Sequence, residues 1–165
     1  MAWPTPKFSR SQVNKAGEIL VREMKSADFD LDRWLWAFEV LSNWRACHGY
    51  PINTFQATLR QKLKKIDTEA LVAQRLKRTP SILTKLQRFS NMNLSRMQDI
   101  GGLRAVVGSM HQLRKLHQNY STSRFTHDLI SEYDYIKSPK TSGYRSIHLV
   151  YKYKQKQTSP YDGLQ

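Results

Sequence analysis

The sequence predicts an α/β (α+β) fold: a mixed β-sheet flanked by helices, with a helical part ahead of it. Two observations carry that prediction. Apolar residues recur at helical spacing up to about residue 70, whereas strand-like runs alternate with helix-length segments beyond Glu69. The later order is strand, helix, strand, helix, strand, which is how an α/β layer is built. The expected division is a helical flank over 1–70 and a core over 71–165.

The opening ten residues carry Pro4 and Pro6, which oppose regular structure. From Ser11 to Met24, Val13, Ala16, Leu20 and Val21 suit one helix face, and Ser26-Ala27-Asp28 breaks it. Leu31 to Trp44 forms a second helix, with Trp34, Phe38 and Leu41 at steps of four and three and Asp28 or Asp30 as its cap. At that spacing Trp34, Trp36 and Trp44 read as core packing. Pro51 closes this part, and a third helix is expected over Thr54 to Ile66.

Leu71 to Lys77 alternates as a strand, placing Ala73, Arg75 and Lys77 on one face. Thr79-Pro80 starts a helix to about Phe89, with Thr79 as its N-cap. Gly101 to Val107 reads as a turn into a buried strand, His111 to Gln118 as a helix, and Arg145 to Lys154 as a long strand.

Of 165 residues, 27 are Lys or Arg and 13 are Asp or Glu, a net charge of +14. Such a surplus gathers polyanions, favouring nucleotides, RNA or an anionic surface as partners. The single cysteine, Cys47, excludes an internal disulfide, and no Cys/His cluster has zinc spacing. No apolar run approaches the roughly 18 residues of a membrane span, and the start lacks a secretory apolar core. The expectation is a cytoplasmic protein with no membrane partner.

Three clusters can carry chemistry. In the first, Arg75 and Lys77 leave a strand on one face, and Ser81 and Lys85 share a face of the next helix. A cationic strand end meeting a helix N-terminus suits a polyphosphate, and a solvated basic face is the plain alternative. In the second, Asp99 precedes a Gly101-Gly102 turn and is the sole acid between Ala70 and Thr126. One carboxylate among cations suits a Mg²⁺ shared with phosphates. Equally, Asp99 could cap a turn or pair with Arg96 or Arg104. In the third, Lys137 and Lys140 lead through Ser142-Gly143 into a strand carrying Tyr144, Ser146 and His148 on one face. Extended spacing would hold Tyr144 and His148 about 13 Å apart, a nucleotide's span. A mixed strand face with a satisfied histidine is the other reading.

In this order the clusters resemble the alarmone synthetase domain of the RelA/SpoT family. The matching pieces are R-L-K-x-x-x-S-I-x-x-K at 75–85, D-I-G-G-L-R at 99–104 and D-Y-I-x-x-P-K-x-S-G-Y-R-S-I-H at 134–148. The resemblance implies a nucleotidyltransferase-like core and a pyrophosphokinase moving the β,γ-pyrophosphate of ATP to the 3′-hydroxyl of GDP or GTP. It implies that Arg75 and Arg104 stack on adenine and that Lys77, Ser81 and Lys85 hold the ATP phosphates. Asp99 would bind Mg²⁺ as the catalytic carboxylate. Lys140, Ser142, Tyr144 and His148 would bind the acceptor, with Tyr144 on the guanine.

Two departures stand beside the resemblance. Ser142 replaces a frequent asparagine, and the family's E-x-Q-x-R-T strand is expected just beyond Gln165. A chain without that glutamate is expected to bind nucleotides and turn over poorly. Toxin-type relatives use the 3′ end of tRNA as acceptor and would bring an antitoxin as partner. The nine basic residues between Arg60 and Arg88, against Asp67 and Glu69, suit that acceptor. A third expectation is a nucleotide or RNA sensor that lacks the chemistry. His111, His117 and His127 are expected to be ordinary surface histidines.

Overall fold

A computed structural model describes residues 2–23 and 28–165. Met24, Ser26 and Ala27, the expected end of the first helix and part of its break, lie outside the described residues. Helix α1 (Arg10–Glu23) buries Val13, Ala16, Ile19 and Leu20. Helix α2 (Leu31–Cys47) packs against it through Ala37, Val40, Leu41 and Trp44. Its N-cap is Asp30, whose carboxylate accepts the Arg33 N–H at 3.1 Å. Trp44 is buried, while Trp34 and Trp36 are half-buried against the same cluster, the packing role expected of them.

Helix α3 (Gly49–Leu63) begins five residues before the expected Thr54 and contains Pro51. The first N–H groups of a helix lack intrahelical partners, so a proline in the first turn opens this helix rather than ending the previous one.

Strands β1 (Leu71–Leu76) and β2 (Gly101–Val106) pair antiparallel, Leu71 opposite Val106 and Leu76 opposite Gly101. Between them run α4 (Thr79–Arg88) and a short 3-10 turn, Leu94–Arg96. The N-cap of α4 is Arg78 in extended conformation, so Thr79 is already helical and does not cap. β2 is half-buried, not buried, because only one of its faces meets α3 and α5. Helix α5 (Met110–Thr122) is capped by Ser109, whose hydroxyl accepts the Gln112 N–H.

Strand β3 (Asp128–Asp134) pairs antiparallel with β4 (Ile147–Lys152), Tyr133 opposite His148. β3 has no counterpart among the sequence expectations: with Leu129, Ile130 and Tyr133 all exposed, it shows no inside–outside alternation to read. β4 is shorter than expected, because residues 141–146 form a turn and irregular chain.

The α/β character and the helical first part therefore stand. Among the described residues, however, the strands form two separate two-stranded antiparallel ribbons instead of one mixed sheet. The main core draws on both halves of the chain. α1 and α2 share it with Ile82 and Leu86 of α4, Ile100, and Tyr153, Tyr161 and Leu164 from the polar end segment. That segment is tied back by Tyr153 N–H to Leu164 O and Gly163 N–H to Tyr153 O, both 2.7 Å. No helix among the described residues is long and apolar enough to cross a membrane.

Candidate active site

β1 ends at Leu76, and the next peptide leaves the ladder to meet the turn before β2. The Lys77 N–H donates to Ile100 O at 2.7 Å, which fixes the end of one strand against the start of the other. Asp99 stands on that turn. Its two oxygens accept from two lysines, Oδ2 from Lys77 Nζ at 2.9 Å and Oδ1 from Lys85 Nζ at 2.8 Å. Lys85 reaches it from the second turn of α4, one helical turn beyond Ser81. Neither Arg96 nor Arg104 is an ion-pair partner of Asp99 among the described residues.

Burial works to raise the Asp99 carboxyl, but the hydrogen bonds and charges of Lys85 and Lys77 outweigh it and hold it below its usual range. The aspartate is thus an anion at any physiological pH, although its side chain keeps 42% of its exposure. Lys77, Ser81, Thr84, Lys85, Arg88 and Phe89 line an open groove of about 390 Å³ along α4 beside this cluster.

Arg75 and Arg104 lie on the ribbon next to the groove. Arg75 is opposite Gly102 and Arg104 is opposite Ala73. Paired residues project to one face, so both arginines rise from the same side over a floor of alanine and glycine. Diagonal partners in a ribbon stand about 7–8 Å apart, the room a flat ring needs at about 3.5–4.0 Å from each neighbour. Both arginines are exposed.

The 134–148 segment is a turn closed on itself. The Gly143 N–H donates to Lys140 O at 2.8 Å, and Gly143 has φ +76, the left-handed region that favours glycine. Ser142 is exposed at its tip. Tyr144 and His148 are not 13 Å apart: Tyr144 Oη and His148 Nε2 are 2.8 Å apart, with their rings edge to face. The chain between them is not extended, since β4 begins only at Ile147. Lys140 Nζ lies 4.5 Å from the centre of the Tyr135 ring and 5.6 Å from that of Tyr144.

Tyr135, within the quoted D-Y-I motif but assigned no role there, meets both Tyr144 and His148 edge to face. Asp134 anchors the turn. It accepts the N–H groups of Ile136 and Lys137 and pairs with Arg114 of α5, whose hydrogen bond holds its carboxyl down at about 2. Burial, then the charges of Lys140 and Arg104, lowers the His148 pKa, so the ring is neutral near pH 7.

The remaining histidines divide. His111 is exposed, as expected. His117 is half-buried and pairs with Glu132 at 2.8 Å, tying α5 to β3. His127 is half-buried, stacked on Tyr153, and accepts the Lys154 N–H. These two are structural because the edge of the β3–β4 ribbon folds against α3 and α5.

Among the described residues no three His, Cys, Asp or Glu side chains form a metal-ligating group. Asp99 is still a hard oxygen donor, half-exposed and facing the groove's cations. Mg²⁺ commonly takes one or two protein carboxylates and completes its shell with phosphates and water, so the donor set fits that ion.

The family described as "Region found in RelA / SpoT proteins" matches residues 74–161. Among solved structures, a GTP pyrophosphokinase family protein from Streptococcus pneumoniae is 28% identical with a TM-score of 0.56, covering 63% of this chain and 55% of that one. Small alarmone synthetase 1 from Bacillus subtilis, bound to its product pppGpp, is 33% identical with a TM-score of 0.51, covering 62% of this chain and 60% of that one. Small alarmone synthetase 2 from Bacillus subtilis shares the fold at 23% identity, with a TM-score of 0.56 over 74% of this chain and 64% of that one. This chain therefore spans less than two thirds of the length of each of these structures. With more than half of its residues inside the matched region, and with the three motifs of 75–85, 99–104 and 134–148 inside it, the chain belongs to the RelA/SpoT family.

Proposed function

We propose that this chain is the nucleotide-binding part of a pyrophosphokinase that moves the β,γ-pyrophosphate of ATP to the 3′-hydroxyl of GDP or GTP. The observation that carries the reading is the convergence of Lys77 and Lys85 on Asp99 beside the α4 groove. Three charges from three segments are held within hydrogen-bond distance, and the groove beyond them is open to a polyphosphate. The likeness to a synthetase bound to pppGpp supports the choice of acceptor. The boundary near residue 70 is kept as that between a helical brace and the synthetase-type core.

In this reading the three ATP phosphates lie at Lys77, Ser81 and Lys85. The lysines then exchange the Asp99 carboxylate for phosphate oxygens, and Asp99 is freed to hold Mg²⁺. The metal, when bound, supplies charge neutralisation on the phosphates. Arg75 and Arg104 sandwich the adenine over Ala73 and Gly102. Tyr144 stacks on the guanine, Lys140 leaves its aromatic seat for an acceptor phosphate, and Ser142 and His148 complete the acceptor contacts.

The 3′-oxygen attacks the β-phosphorus in line, the bond from that phosphorus to the α,β-bridging oxygen breaks, and AMP leaves. The hydroxyl proton passes to solvent. Such transfer depends mostly on positioning and charge, which cationic side chains supply.

A second reading has the 3′ end of tRNA as acceptor, with an antitoxin as a further partner. It is favoured by the charge of +14 and by the nine basic residues from Arg60 to Arg88. In either case the buried free thiol of Cys47 suits the cytoplasm. The test is incubation with γ-labelled ATP, Mg²⁺ and either GDP/GTP or tRNA. Label in a guanosine product supports the first acceptor, and label on tRNA supports the second. Nucleotide binding without transfer to either acceptor overturns both in favour of a sensor.

A further inference from the structure

Lys77 is the first residue beyond β1, where no ladder partner remains for its backbone carbonyl. That carbonyl accepts from Arg45 Nε at 2.7 Å, and Arg45 belongs to α2, thirty-two positions away in the helical first part. The opposite side of the same residue is held by its N–H on Ile100 O, also at 2.7 Å. Lys77 is thus clamped through its main chain between α2 and the Asp99 turn, while its side chain reaches Asp99.

The arginine's own base is rigid. Trp44, its neighbour, is buried, as are Val40 and Leu41 one turn earlier and Cys47 after it. A carbonyl at this half-exposed position could be satisfied by water, so the arginine is not needed to avoid an unpaired acceptor. What it adds is a fixed direction. Its planar Nε–H on a core-anchored helix orients the Lys77 peptide, a constraint that a water molecule or a freely rotating ammonium does not impose.

We propose that Arg45 is a positioning residue for the ATP site: through the Lys77 carbonyl, the N-terminal helices set the affinity for Mg·ATP without touching the nucleotide. This rests on the reading of Lys77 as a phosphate ligand. Arg45 lies outside the 74–161 region that defines the family, so the proposal gives the helical first part a role in the chemistry of this chain.

Calorimetric titration of the full chain with Mg·ATP, and separately with GDP, tests it. Loss of a hydrogen bond to a charged donor predicts that Arg45→Ala weakens Mg·ATP binding by roughly ten- to thirtyfold and leaves GDP within about twofold. Arg45→Lys should fall between the two, at least about threefold weaker than wild type. Val40→Ala, which loosens the same helix without reaching Lys77, should lower Tm and leave both affinities unchanged.

Equal loss of ATP and GDP binding in Arg45→Ala, or a Val40→Ala variant that loses ATP binding alike, would overturn the proposal. Should Arg45→Ala not fold, Arg45→Lys decides: wild-type affinity for Mg·ATP overturns it. A wild-type chain that binds no Mg·ATP overturns the ATP-site reading itself. A wild type that binds, with an Arg45→Ala variant that binds equally well, overturns only the role of Arg45.

Discussion

Tyr144 and His148 are joined by a 2.8 Å hydrogen bond between the phenol and the imidazole Nε2, with Tyr135 edge-on to both rings. The ring proposed to stack on guanine is therefore held by a neighbour that is itself neutral near pH 7. Truncating the ring and removing only its hydroxyl should have different consequences. Tyr144→Ala loses the stacking platform, worth about 1–3 kcal/mol per base, and should weaken acceptor binding by roughly five- to a hundredfold. Mg·ATP affinity should stay within about twofold. Tyr144→Phe keeps the platform and should lose only a few-fold. Separate titrations with ATP and GDP measure the split, and equal loss of both ligands would contradict the proposed partition of the site.

Asp99 is paired with two lysines that the proposed reaction needs elsewhere. In Asp99→Asn those ammonium groups lose their anionic partner, and only one of them can keep a hydrogen bond, because the amide oxygen accepts while the amide nitrogen donates. ATP without Mg²⁺ should then bind more tightly than to wild type, and added Mg²⁺ should no longer strengthen binding. Transfer should fall by about 10²- to 10³-fold, the scale of removing one charge-stabilising group. The comparison is ATP titration with EDTA against titration with excess Mg²⁺. An Asp99→Asn protein that keeps the wild-type response to Mg²⁺ would remove Asp99 from the metal's shell.

The cationic cluster at 75–85 was legible in part. Strand periodicity puts Arg75 and Lys77 on one face, helical periodicity puts Ser81 and Lys85 on another, and Asp99 was conspicuous as a lone acid. The meeting of Lys77 and Lys85 on Asp99 depends instead on how the strand end, the helix and the turn pack. The Tyr144–His148 contact was not legible. Its geometry depends on where extended chain begins, and the turn at Gly143 delays that point to Ile147. β3 escaped for a related reason: a strand exposed on both faces carries no alternation. The clamps from the helical part, Arg45 on Lys77 and Ile52 under Gly101, join positions dozens of residues apart, and no local pattern announces them.

Gly101 makes the second of those clamps testable. A Cβ added there would lie 2.7 Å from Ile52 Cδ1 and 2.9 Å from its Cγ1, with His48 Cβ at 3.6 Å. Both Ile52 and His48 are buried, so the side chain cannot simply swing away. Gly101→Ala should destabilise by about 1–3 kcal/mol, the scale of overpacking. Because the Asp99 turn would be displaced, it should also weaken Mg·ATP binding. Adding Ile52→Ala should restore part of both losses. Chemical denaturation of the four-member cycle reads the coupling, and purely additive effects would place the strain elsewhere.

His48 governs the stability of the same junction in acid. It is buried between α2 and α3, with Nδ1–H donating to Trp44 O at 2.8 Å, and burial outweighs that hydrogen bond to lower its pKa from the usual 6.5 to about 4. The folded protein therefore holds the ring neutral where the unfolded chain would protonate it. Between pH 6.5 and about 4 the unfolded state binds more protons, so stability falls as the pH falls across that window. The whole interval corresponds to about 3 kcal/mol for this one group. Asp99 and Asp134 act in the same direction but only at lower pH, since their carboxyls ionise below the usual range in the fold. Replacing His48 by glutamine removes the titrating ring. Thermal melts from pH 7 to 4 should then show a shallower decline for His48→Gln than for wild type, even though its Tm at pH 7 is lower. Parallel curves for the two proteins would show that another group carries the acid sensitivity.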